Sequence, residues 1–132
     1  MIDNENAWDK RLQIKTTGRD ASNSDMYCYP YEPTPYGVLV RLANSGFIVK
    51  KDVVLDYGCG KGRVDFFLSY QTKAKTIGIE YDERIYRQAL ENLNSYGVDS
   101  GVSFVCKNAA EYEIEDADCF YFFNPFSVEI LH

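Results

Sequence analysis

The chain has 132 residues, a formal charge of −6, 45% hydrophobic and 15% aromatic residues. That is the length of one domain with a core to bury. The acidic balance argues against a broad electrostatic grip on nucleic acid, which draws on Lys and Arg facing phosphate.

Cys28, Cys59, Cys106 and Cys119 form no C-x-x-C pair, and the single histidine is the last residue. A zinc site is therefore not expected, and scattered thiols suit a reducing cytosol better than a disulfide scaffold. The start, MIDNENAWDKRLQ, is acidic and polar where a secretory signal would be basic and then apolar. No apolar run approaches the roughly 20 residues of a membrane helix. These features together predict a soluble, cytoplasmic protein.

Residues 1–33 hold few aliphatic side chains and no sustained period. They read as a non-regular arm or lid that packs through its rings, with a short helix near Trp8. Residues 34–132 read as the core. Thr34 followed by Pro35 is a helix start, a hydroxyl N-cap and then proline in the first turn. Val38, Leu39, Leu42 and Ala43 continue at helical spacing, and Gly46 suits the stop. DVVLDYG is a β-branched apolar run bounded by glycine, a buried strand. KGRVDFFLSYQT is helical, with Val64, Phe67 and Leu68 on one face. KTIGIE is a second strand, and Asp82 caps a helix that repeats Ile85, Ala89 and Leu93 and ends at Gly97. GVSFVCKN is a third strand, AEYEIEDA a loop or short helical turn, and DCFYFFNPF a fourth strand. SVEILH reads as the start of the next helix. This alternation predicts an α/β fold, a parallel sheet wrapped by helices.

The stretch LDYGCGKGR joins the first strand to the following helix, where a doubly wound sheet binds its cofactor. Gly58, Gly60 and Gly62 can take positive φ and admit a ligand close to the backbone. A helix start also offers N–H groups and a positive dipole end. A dinucleotide fingerprint, G-x-G-x-x-G counted from Gly58, would need glycine at position 63, which is Arg63. The run is instead G-x-G-x-G behind an acid, Asp56.

That pattern resembles motif I of the class I S-adenosylmethionine (SAM)-dependent methyltransferases, and IGIEYDERI resembles their second motif. YEPTPYGVL is similar to the segment before the core in a largely bacterial subset. The resemblance covers residues from about 31 to the end. It implies a Rossmann-like sheet and SAM as cofactor. In the family's order 3-2-1-4-5-7-6 this chain would supply 3-2-1-4, with strands five to seven missing. By resemblance, Glu80 would accept from both ribose hydroxyls and Tyr81 would lie beside the adenine. Asn108 would meet the adenine amine, and the N–H of Ala109 the adenine ring. Asp56 would hold the cofactor's ammonium or brace the glycine loop. Tyr31 and Thr34 would cap the methionine end, or serve only as a proline turn and a helix cap.

Asn124, Pro125 and Phe126 fall where amino-group methyltransferases hold the target nitrogen. They carry one proline where that motif has two, and a strand end followed by a core ring is the alternative. Cys59, small between glycines and without a histidine partner, reads as inert, and Lys61 and Arg63 as solvated cations at a helix start. The resemblance thus implies methyl transfer from SAM to an unknown acceptor, an amino nitrogen among the candidates. A non-catalytic SAM-binding module is the alternative, with a nicotinamide oxidoreductase disfavoured by Arg63. The fourth strand would be an apolar, exposed edge through which two copies associate.

Overall fold

The computed structural model describes residues 4–17, 33–107, 117–124 and 127–131. The first strand, β1 (Val53–Tyr57), is a run of apolar residues whose middle three positions are buried. Parallel to it on one side lies β2 (Lys75–Glu80), and beyond that β3 (Val102–Cys106). On the other side lies β4 (Cys119–Asn124), also parallel. The four are thus parallel, as the alternation implies, and follow the order 3-2-1-4, as the resemblance implies.

A fifth strand, β5 (Ser127–Leu131), pairs antiparallel with β4, Asn124 opposite Ser127 and Phe120 opposite Leu131. This overturns two expectations. SVEILH does not begin a helix, because Val128 and Ile130 alternate around Glu129 with the period of a strand. Nor is β4 an exposed edge through which copies would associate, since β5 occupies its outer hydrogen-bonding side.

Four helices accompany the sheet: α1 (Asn4–Leu12), α2 (Tyr36–Asn44), α3 (Arg63–Thr72) and α4 (Glu83–Tyr96). Helix α1 contains Trp8, so part of the arm is regular. Thr34 is not the N-cap of α2. That position is Pro35, which makes no side-chain cap bond, and the Thr34 hydroxyl pairs at 2.8 Å with the Tyr121 hydroxyl of β4. Helix α4 begins as its sequence implies, with Asp82 Oδ1 accepting from the N–H of Arg84 and Ile85. It stops at Gly97, whose N–H donates to the Leu93 carbonyl.

Helix α3 is buried on every side over residues 63–69, not only along its Val64–Phe67–Leu68 face. The sheet covers one side and the arm the other. Trp8 meets Phe67 edge-on at 4.9 Å, while Phe66 packs against Phe104 of β3 at 5.4 Å and Tyr96 of α4 at 5.0 Å. Among the described residues no helix is long and apolar enough to cross a membrane.

Candidate functional site

The carboxyl ends of β1 and β2 meet at the loop of residues 58–62. Gly58, Gly60 and Gly62 all take positive φ, at 73°, 57° and 96°. Their surroundings differ. A Cβ on Gly58 would meet nothing within 4 Å. On Gly62 it would lie 2.7 Å from both Phe104 Cζ and Phe66 Cε2. Gly62 therefore makes room for the protein's own rings, and Gly58 borders open space.

The N–H groups of Gly58, Cys59, Gly60 and Gly62 are spent within the chain. Gly58 and Cys59 both donate to the Ile79 carbonyl, at 2.8 and 3.0 Å, and Gly62 donates to the Cys59 carbonyl. Gly60 donates to Glu80 Oε1 at 3.0 Å, and the other oxygen of Glu80 accepts from the Asp82 N–H at 2.9 Å. Glu80 thus clamps the glycine loop to the cap of α4. Burial raises its pKa, and the two backbone N–H bonds pull it partly back. Each carboxylate oxygen keeps a further lone pair for a ligand hydroxyl. Tyr81, next in the chain, is 53% exposed.

Cys59 turns away from the open side. Its Cβ and Sγ occupy the space a side chain on Gly78 would need, since a Cβ there would lie 2.7 and 2.8 Å from them. Burial, reinforced by the negative charges of Asp65, Asp56 and Glu80, pushes its thiol well above the ordinary value. It is a packing residue and a poor nucleophile.

Asp56, in the middle of the sheet opposite Gly78 and Tyr121, is 2% exposed. Its Oδ2 finds no hydrogen-bond partner among the described residues. Facing it is Asp65, a residue to which the sequence draws no attention. Asp65 sits in the first turn of α3, is fully buried, and among the described residues neither of its oxygens has a hydrogen-bond partner in the geometry. Burial raises the pKa of both acids, and neighbouring charge adds to it, that of Glu80 at Asp56 and that of Asp56 at Asp65. An acid at that helix position looks in sequence like a dipole partner, so nothing local marks it.

Arg63 is not a solvated cation. It is 2% exposed, and its guanidinium donates to Thr16 Oγ1 (2.8 Å), Thr17 Oγ1 (3.0 Å) and the Thr34 carbonyl (3.1 Å). It also pairs with Glu5 and lies 4.2 Å over the Tyr36 ring. Asn92 of α4 ties the arm to the loop as well, exchanging two bonds with the Lys15 backbone and donating to the Lys61 carbonyl. Thr34 thus stands beneath the arm with its hydroxyl committed to Tyr121. Tyr31, Asn108, Ala109, Pro125 and Phe126 lie outside the described residues. Asn124 is placed at the carboxyl end of β4, on the same edge of the sheet as the loop. A cavity of about 430 Å³ lined by Arg11, Tyr70, Lys73 and Tyr96, among others, adjoins the far half of α3 and is no part of this site.

The family described as "Methyltransferase domain" matches residues 54–131. A protein-lysine N-methyltransferase of Saccharolobus islandicus is 34% identical over 89 residues, covering 67% of this chain and 55% of that protein. The 23S rRNA (uracil(1939)-C(5))-methyltransferase RlmD of Burkholderia pseudomallei is 35% identical over 78 residues, 59% of this chain and 17% of that one. This chain therefore spans about half the length of the first relative and far less of the second. Among solved structures, an RNA methyltransferase of Salinibacter ruber in complex with S-adenosyl-L-homocysteine superposes with a TM-score of 0.60 at 30% identity. It covers 65% of this chain and 56% of that one.

Proposed function

This chain belongs to the methyltransferase-domain family, and we propose that it binds SAM at the β1–α3 loop as the cofactor-holding part of a methyltransferase. The observation that carries the reading is the sign of the site. Asp56, Asp65 and Glu80 gather around the loop, its glycine N–H groups are bonded internally, and Arg63, the residue after it, is turned into the arm. Such a site repels a pyrophosphate and suits a ligand that carries cations. The nicotinamide dinucleotide alternative is disfavoured on that ground as well as by Arg63.

When bound, SAM supplies a methyl group activated by its sulfonium, so the protein has mainly to orient and to shape the field. In this reading Glu80, already fixed by two N–H groups, accepts from the ribose hydroxyls with its remaining lone pairs. Gly58 leaves the backbone accessible beside it, while Gly60 and Gly62 hold the loop's path. Tyr81 offers an exposed ring to the adenine, with Asn108 and Ala109 as its expected polar partners. Asp56 takes the ammonium of the methionine end, and the 4–17 arm with Tyr31 and Thr34 covers that side. We take the acceptor to be an amino nitrogen, held by the Asn124 amide with Pro125 and Phe126 beside it. The lysine specificity in the name of the Saccharolobus relative supports this.

Calorimetry with SAM and S-adenosylhomocysteine tests the reading. Binding is expected, weakened at least about tenfold in Glu80→Ala, the loss of hydrogen bonds to a charged acceptor. Heat with NAD and none with SAM would refute it.

A further inference from the structure

We propose that Asp65 is a positioning residue of the SAM site: its carboxyl keeps a proton and donates it to Asp56, so the pair presents a single negative charge, on Asp56, to the cofactor's ammonium. The inference rests on the cofactor reading above.

The geometry leaves little alternative. Asp56 reaches the pair from β1 and Asp65 from the first turn of α3, and both are cut off from solvent. Among the described residues, the titratable groups that face them from the neighbouring elements are Cys59 in the loop, Glu80 on β2 and Tyr121 on β4. All three are neutral or negative, so none offsets a second charge. The closest cation in sequence, Arg63, spends its donors on Glu5, Thr16, Thr17 and the Thr34 carbonyl. Two ionised carboxylates in contact and out of water cannot both persist, and a proton between them is the compensation the site has left.

The proton sits on Asp65. Among the described residues both of its oxygens are shut from water without a partner, whereas of Asp56's only Oδ2 is, so Asp65 is the poorer place for a charge. The protonated form turns an unpartnered acid into a hydrogen-bond donor and fixes the Asp56 rotamer. A neutral pair would not attract an ammonium, and a doubly charged one would work against folding. One proton between two carboxyls leaves a single charge, on Asp56.

The proton is read in the unliganded chain by carbon-13 NMR of the carboxyl groups across pH. One carboxyl of the pair is expected to remain protonated at about pH 7, well beyond the ordinary carboxyl range, and that signal is absent from Asp65→Asn. Ordinary titration of both carboxyls near about pH 4 would overturn the proposal without any variant being made. Calorimetry then reads the positioning. SAM affinity falls about tenfold in Asp65→Leu, which strands Asp56, and Asp65→Asn recovers most of it because the amide donates in the proton's place. Equal losses in the two variants, each shown to be folded by its thermal transition, overturn the positioning role. A chain that keeps the proton yet binds no SAM overturns the cofactor reading and Asp56's part in it, while the shared proton stands.

Discussion

Arg63 Nε donates to Thr16 Oγ1 at 2.8 Å, joining the first residue of α3 to a segment 47 positions earlier in the chain. Through it the start of the loop helix and the arm become one polar seam. Asp9 extends that seam, accepting from the N–H and hydroxyl groups of Thr16 and Thr17 and from the Tyr36 hydroxyl at 2.5 Å.

Arg63→Met is therefore expected to destabilise the chain by about 3 kcal/mol, the usual scale for breaking a buried charge pair. Arg63→Lys should recover little, because one ammonium cannot replace a planar fork that also stacks on Tyr36. Urea unfolding measures the loss. Limited proteolysis should show early cleavage in the arm of the variants, and an unchanged pattern would mean that the arm is held by its rings alone.

What is legible in the sequence is whatever is decided locally. The β1 and β2 runs, the Asp82 cap and the Gly97 stop are each written within a few residues, and they stand where the pattern puts them. Arg63 escapes such a reading because its partners lie 29 to 58 positions away, so KGR looks like any solvated helix start. Thr34 escapes it for a related reason: a hydroxyl before proline is a good cap, but Tyr121, 87 residues on, claims it first. Residues 127–131 are too few to separate a strand from a first helical turn unless the period-two alternation is weighed above the serine that opens it.

Asp9 gives the seam a pH dependence. Burial alone would raise its pKa, but the hydrogen bonds from Thr16, Tyr36 and Thr17 outweigh that and hold it below the ordinary value. A carboxyl with a depressed folded pKa contributes stability that is present above its unfolded pKa, about 3.9. That stability is lost as pH falls through the folded value. Asp9→Asn should thus cost about 2 kcal/mol at neutral pH, and the gap to the unaltered chain should close in strong acid. Urea unfolding at a series of pH values measures it. A gap that stays constant down to about pH 2 would separate the loss from the charge.

The Asp56–Asp65 pair has the opposite sign. Both carboxyls are raised by burial, so their contribution to stability is complete below the unfolded pKa of about 3.9 and is lost as pH rises through the raised folded values. The unliganded chain should lose stability as pH rises from about 4 through about 7, the value to which Asp56 is raised, and Asp65→Asn should flatten that limb, since its amide does not titrate. Thermal unfolding over this range checks it, and a limb of equal slope in both proteins would move its origin to another group. Bound SAM should flatten the limb too, by placing a cation beside the Asp56 charge and so lowering the cost of ionising the pair.

Two glycines of one loop should respond differently to alanine. At Gly62 the new Cβ meets Phe104 and Phe66 at 2.7 Å, and the backbone sits at φ 96°. The strain of the left-handed region, about 1–2 kcal/mol, adds to overpacking of a similar size, so Gly62→Ala should cost about 3 kcal/mol. Phe104→Leu in the same chain should return part of it, the coupling being read in a double-mutant cycle. At Gly58 the φ of 73° imposes the same backbone strain, but the Cβ enters open space. Gly58→Ala should cost only about 1 kcal/mol of stability, yet it puts a methyl group on the side where the cofactor is proposed to approach. Its SAM affinity should therefore fall further than that of Gly46→Ala, a control just past the end of α2 with φ 77° and equally open surroundings. If Gly58→Ala binds SAM as the parent does, the open side of the loop is not where the ligand lies, whatever happens at Gly62.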